Sequence, residues 1–122
     1  MNKYRNKRTF VDGKKFDSHK EAMRYLVLKD RLMSHEISEL QMQVPYELLP
    51  PIYEEKTVHL KTKDKTVKRC VQRAVRYVAD FVYTDLNTGK QIVEDVKGKR
   101  TKEYELKKKM MRSILGIVIT ET

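Results

Sequence analysis

The chain has 122 residues and carries 27 Lys and Arg against 17 Asp and Glu, a formal charge of +10. That length builds one core without disulfides or a structural metal. The charge attracts polyanions, with nucleic acid the leading partner. Apolar residues (39%) and charged residues (36%) are interleaved, which excludes a wholly disordered chain. No apolar run of transmembrane length, signal peptide or lipidation motif is visible, so no membrane is expected and a soluble, cytoplasmic protein is. Cys70 stands away from any His pair at zinc-finger spacing and reads as an ordinary thiol. There is no Walker glycine loop, and the histidines, His19, His35 and His59, are scattered without a nucleophile at useful spacing.

Residues 1–8 read as a basic arm, and residues 9–122 as one domain with a basic excursion at 50–70. Asp12-Gly13 predicts a tight hairpin turn, because both central residues need positive φ. Ser18 with Glu21 forms a capping box, and Ala22, Tyr25, Leu26, Lys29, Leu32 and Met33 recur at helical spacing, predicting a helix from about Ser18 to Ser34. Ile37 to Leu49 alternates as a strand, with Pro45 at an edge or bulge. The excursion predicts a basic hairpin around Lys63-Asp64-Lys65. Val71 to Tyr83 and Gln91 to Lys97 read as antiparallel strands joined through Asp85 to Gly89, with Gly98 ending the second. Thr101 caps a second helix whose stripe runs through Tyr104, Lys108, Met111 and Leu115 to Gly116, and Ile117 to Thr120 reads as a final buried strand. Without the first hairpin the order is αβββαβ, an α/β fold with a mixed central sheet flanked by helices.

Alternation puts Val93, Asp95 and Lys97 on one face of their strand, with Ile92, Glu94 and Val96 on the other. On the preceding strand Val78, Asp80 and Val82 are expected to share a face, and a hairpin brings Asp80 beside Asp95. Asp80 is a carboxylate among Val78, Ala79, Phe81 and Val82, where an unpaired charge is costly. Two convergent carboxylates hold Mg²⁺ and leave positions for water and phosphate oxygens, and an adjacent lysine orients a water or stabilises developing charge. The plain alternative is a structural salt bridge between Lys97 and Asp95, with Asp80 bonded to nearby backbone.

Tyr77-Val78-Ala79-Asp80-Phe81 followed by Val93-Glu94-Asp95-Val96-Lys97-Gly98 resembles the core of the PD-(D/E)XK nuclease superfamily, which includes restriction enzymes and Holliday-junction resolvases. The similarity extends from Tyr4-Arg5-Asn6-Lys7 through Phe16-Asp17-Ser18 and Lys20-Glu21-Ala22 to the last strand, and is nearest to short phage and prophage proteins of unassigned function. Ala79 replaces the motif's nominal proline. The resemblance implies a restriction-endonuclease-like fold. Asp80 and Asp95 then match the acids, Lys97 the lysine, the Val96 carbonyl an extra metal ligand, and Glu21 an acid that some members present from their first helix. Glu21 also has its capping role, and Glu94 has no assigned role. Gln41 and Gln43 read first as solvated strand polarity, although related nucleases place a glutamine near the substrate.

The function expected is that of a Mg²⁺-dependent endodeoxyribonuclease, with Mn²⁺ an alternative metal. With no sequence-reading module appended, branched DNA is the expected substrate, cut by a junction resolvase acting as a homodimer in phage recombination or replication. Lys99, Arg100 and Lys102 after the motif, and Lys63, Lys65 and Arg69 on the excursion, are the expected DNA contacts. The rivals are a non-catalytic DNA-binding module and a host-protein-binding phage factor on the same fold.

Overall fold

The computed structural model describes residues 8–97 and 99–122. The expected arm, apart from Arg8, and the stop at Gly98 lie outside the described residues. Asp12 and Gly13 take φ of 52° and 72° and turn β1 (Thr9–Val11) into β2 (Lys14–Phe16). Ser18 caps α1 (His19–Met33), its Oγ accepting the Glu21 N–H at 3.1 Å.

The buried face of α1 is Glu21, Ala22, Tyr25 and Leu28, rotated from the predicted stripe. Leu26 and Met33 are 41% and 70% exposed, while Leu28 is fully buried. Tyr25 sets this rotation. Its ring packs 5.1 Å from that of Phe16 and its hydroxyl donates to Asp12, so the first hairpin selects which neighbours of Tyr25 turn inward.

The main sheet runs β3 (Ile37–Leu49), β6 (Val75–Asp85), β7 (Gln91–Asp95), β8 (Thr120–Glu121) in space, with β7 and β8 parallel and the other pairs antiparallel. β3 is an edge strand, which accommodates Pro45. Between β3 and β6 the chain makes a separate two-stranded ribbon, β4 (Ile52–His59) and β5 (Asp64–Gln72), so the strand expected from Val71 to Tyr83 is in fact divided between β5 and β6.

α2 (Lys102–Leu115) begins at its Thr101 cap and ends at Gly116, φ 68°. The cap uses the N–H groups of Gly116 and Ile117 on the carbonyls of Arg112 and Met111. The chain therefore reaches β7 only at Thr120. The expected four-residue buried strand shrinks to two paired residues, with Ile119 buried and Val118 65% exposed.

Two cores cover the sheet, one containing Tyr104 and Met111 of α2 and the other Ala22, Tyr25 and Leu28 of α1. Leu40 and Met42 join the α1 core, whereas Val44, Tyr46 and Leu48 join the α2 core, although strict alternation would keep all five on one face. The change falls at Gln43, a non-glycine at φ 53°. The partner strand changes in step. Tyr77 and Ala79 serve the α2 core, and Phe81 and Tyr83 the α1 core. Val78, Asp80 and Val82 therefore do not share a face: Val78 is 47% exposed and Val82 is buried against α2.

Candidate active site

The β6–β7 ladder runs from Thr84 opposite Gln91 to Phe81 opposite Glu94, and Asp80 and Asp95 are the next residues of the two strands. At that point Asp80 Oδ2 accepts the Val96 N–H at 2.8 Å. A side chain thus holds the end of β7 where a neighbouring backbone carbonyl would otherwise do so.

Alternation along β7 is as expected. Asp95 turns toward α2, accepting the Tyr77 hydroxyl at 2.6 Å and pairing with Lys97 at 2.9 Å. The Lys97 ammonium lies 3.2 Å from the centre of the Tyr104 ring, which fixes it beside Asp95. β8 braces the same segment, since Thr122 N–H donates to the Asp95 carbonyl and Lys97 N–H to the Thr122 carbonyl, each at 3.0 Å. Lys20 of α1 donates to the Lys97 carbonyl from the other side. Beside it, Lys20, Met23, Arg24, Val27, Val96 and Thr122 line an open cleft of about 300 Å³.

Glu94 turns the opposite way, toward α1. It is fully buried and takes two hydrogen bonds of 2.8 Å from Arg24 and one from the Tyr83 hydroxyl. Burial opposes its ionisation, but Arg24 and Tyr83 outweigh that and hold its carboxyl below the ordinary range. Glu94 is thus the anchor of β7 to α1.

The Glu21 N–H takes the Ser18 cap, while its side chain is buried and accepts from Gln43 rather than turning back to the cap. Gln43 Nε2 donates to Glu21 Oε1 at 2.8 Å and approaches Asp80 Oδ1 at 3.4 Å. Burial, then the charges of Asp17 and Asp95, raise the Glu21 carboxyl. Burial, then the Asp95 and Glu21 charges, push Asp80 up to about 7 against the pull of the Val96 N–H.

Both contacts of the salt-bridge alternative are present, Lys97 on Asp95 and Asp80 on backbone. That alternative does not require Glu21 and Gln43 to converge on Asp80 as well. Gln43 and Tyr77 are the functional candidates that the strand pattern did not single out. Gln43 had a hint in its position, whereas Tyr77 reads as ordinary core.

Among the described residues, no group of three or more His, Cys, Asp and Glu is set for a metal ion. The available donors are nonetheless all oxygens: the carboxylates of Asp80 and Asp95 and the Val96 carbonyl, with Glu21 beside them. Mg²⁺ is bound through one or two carboxylates while keeping several waters, so this set fits it.

A carboxyl raised by folding favours the fold while protonated, and that contribution is lost as pH rises toward the folded value. Asp80→Asn is therefore expected to raise the melting temperature of the metal-free protein by several degrees at pH 8 and by little at pH 4. Excess Mg²⁺ should raise the wild-type melting temperature and leave the variant's unchanged. Melting curves at both pH values, with and without Mg²⁺, check this; the same Mg²⁺ response in both proteins would exclude Asp80 as a ligand.

Of the DNA contacts expected after the motif, Arg100 is engaged within the protein, as are two lysines of α2. Arg100 pairs with Glu121 at 3.0 Å, Lys108 with Glu121 at 2.7 Å and Lys107 with Glu103 at 2.9 Å. Lys99 lies before α2 and Lys102 is its first residue, while Lys63, Lys65 and Arg69 lie on or at the tip of the ribbon. No helix among the described residues is long and apolar enough to cross a membrane.

Comparison with curated proteins and with solved structures gives no match. A family model matches residues 1–115, nearly the whole chain, and the protein accordingly belongs to the family described as "Protein of unknown function (DUF1064)".

Proposed function

We propose that the protein is a metal-dependent DNA endonuclease with a restriction-endonuclease-like core, hydrolysing phosphodiesters in branched DNA during phage recombination or replication. The observation that carries the reading is Asp80 bonded to the Val96 N–H at 2.8 Å, next to Asp95, with Lys97 on Asp95 at 2.9 Å. The order α1, β3, β6, β7, α2, β8 supports it, as does a net charge of +10 on the chain that carries these acids.

Asp80, Asp95 and the Val96 carbonyl would hold Mg²⁺, or Mn²⁺ in its place. The bound ion supplies charge neutralisation for phosphate oxygens and a more acidic water. Tyr77 holds one oxygen of Asp95 and Lys97 the other, which fixes the carboxylate plane. The Lys97 ammonium orients the attacking water and offsets charge developing on the phosphate. Gln43 restrains Glu21 and Asp80 together. Its left-handed backbone costs on the order of 1–2 kcal/mol, a strain of the kind that accumulates at functional sites.

Labelled four-way-junction, branched and linear DNA incubated with Mg²⁺ or with chelator tests the proposal. Mg²⁺-dependent cutting, greatest on the junction, is expected. Binding without cutting would favour the DNA-binding module instead.

A further inference from the structure

Among the described residues, the β4–β5 ribbon forms a sheet of its own, apart from the main one. Nearly all its residues are exposed, including Ile52, Tyr53, Leu60 and Val71 at 46–58%. A two-stranded ribbon bare on both faces is marginally stable in water. Its two faces also differ in charge.

The register places Glu54 opposite Arg69, Lys56 opposite Val67 and Val58 opposite Lys65, so these six residues share one face. The other face carries Glu55 opposite Lys68, Thr57 opposite Thr66 and His59 opposite Asp64, the last pair 2.8 Å apart. The first face thus sets three cations against one acid, and the second sets one cation against two acids. Lys61 and Lys63 add charge at the tip, where Leu60 N–H bonds the Lys63 carbonyl at 2.9 Å. Among the described residues, the side chains of Lys56, Lys61, Lys63, Lys65 and Arg69 form no ion pair. The cations of α2, by contrast, are paired in part with Glu103 and Glu121.

We infer that the β4–β5 ribbon is a DNA-gripping arm, which lays its Lys56, Lys65 and Arg69 face and its Lys61 and Lys63 tip against the backbone and major groove of a B-form duplex flanking the cut. The inference rests on the nuclease reading for the position of that cut. The major groove of B-DNA admits a two-stranded ribbon, whereas the deep, narrow major groove of A-form RNA does not. The ribbon joins the sheet where Leu49 faces Val75, on the strand that carries Asp80. At about 3.3 Å per residue along β5 and β6, Lys65 lies no more than about 50 Å from Asp80. The Lys65 contact therefore lies no further than roughly 15 base pairs, at 3.4 Å each, from the reacting phosphate.

Binding of the wild-type protein in Ca²⁺ to a duplex DNA, the same sequence as double-stranded RNA, and single-stranded DNA tests this across a salt series. The triple variant Lys56→Ala/Lys63→Ala/Lys65→Ala is expected to bind duplex DNA at least tenfold more weakly at about 0.1 M salt. Its log–log salt slope should fall by about 3, at roughly 0.9 per phosphate contact. Lys65→Ala should weaken binding more than Lys68→Ala, which removes the same charge from the opposite face. Circular dichroism of each variant should match wild type.

Equal effects of Lys65→Ala and Lys68→Ala, or wild-type affinity in the triple variant, would overturn the arm and leave any Mg²⁺-dependent cutting standing. Duplex RNA bound as tightly as DNA would overturn the groove assignment. Ribbon-dependent binding by a protein that cuts nothing supports the arm and removes the nuclease reading. Absence of DNA binding even at low salt would overturn both.

Discussion

Lys97→Ala is expected to lower turnover on DNA by on the order of 10²–10³-fold while DNA binding in Ca²⁺ changes little. Lys97 is held beside Asp95 at 2.9 Å and over the Tyr104 ring at 3.2 Å, with both of its neighbours fixed in the core. Its ammonium is thus placed before substrate arrives, and a placed charge acts on the transition state without reorganising. The loss should appear in kcat rather than KM, because a group acting on charge that develops during reaction contributes little to ground-state binding. Single-turnover rates with saturating protein check this. A loss confined to KM would make Lys97 a binding residue.

Arg24→Ala is expected to destabilise the fold by about 3–5 kcal/mol, the cost of leaving a buried partner charge unpaired. Glu94 is fully buried and takes both of its 2.8 Å bonds to α1 from Arg24. The sign of the pH dependence follows from its lowered carboxyl. In wild type the contribution is present above the unfolded pKa and is lost as pH falls through the folded one. In the variant Glu94 is easier to protonate, so the gap between the two proteins narrows on acidification. Replacing both partners by apolar residues, Arg24→Met with Glu94→Leu, should recover much of the loss. Urea unfolding at pH 7 and pH 4 checks the single and double variants.

Local chemistry made much of this fold legible in the sequence. Asp12-Gly13 forces its turn, Ser18 and Thr101 cap the helices through their hydroxyls, and Gly116 takes the left-handed conformation that ends α2. The relation of Asp95 to Lys97 needs only the period of a strand. Features set by distant partners were not legible. Arg24 meets Glu94 across 70 residues, and Tyr77 meets Asp95 across 18, and neither pairing leaves a local pattern. Gln43 reaches Glu21 from a point where its φ of 53° interrupts alternation, so a strict strand period misassigns the faces around Asp80. The rotation of α1 was hidden for the same reason, since Phe16 decides it from outside the helix.

Cleavage of four-way-junction and linear DNA by wild type and by Asp95→Ala, each with Mg²⁺ and with chelator and each with binding measured in Ca²⁺, tests the central claim most directly. Mg²⁺-dependent cutting by wild type alone is expected, with binding retained in the variant. Wild type that binds DNA in Ca²⁺ yet leaves every substrate whole in Mg²⁺ would contradict it.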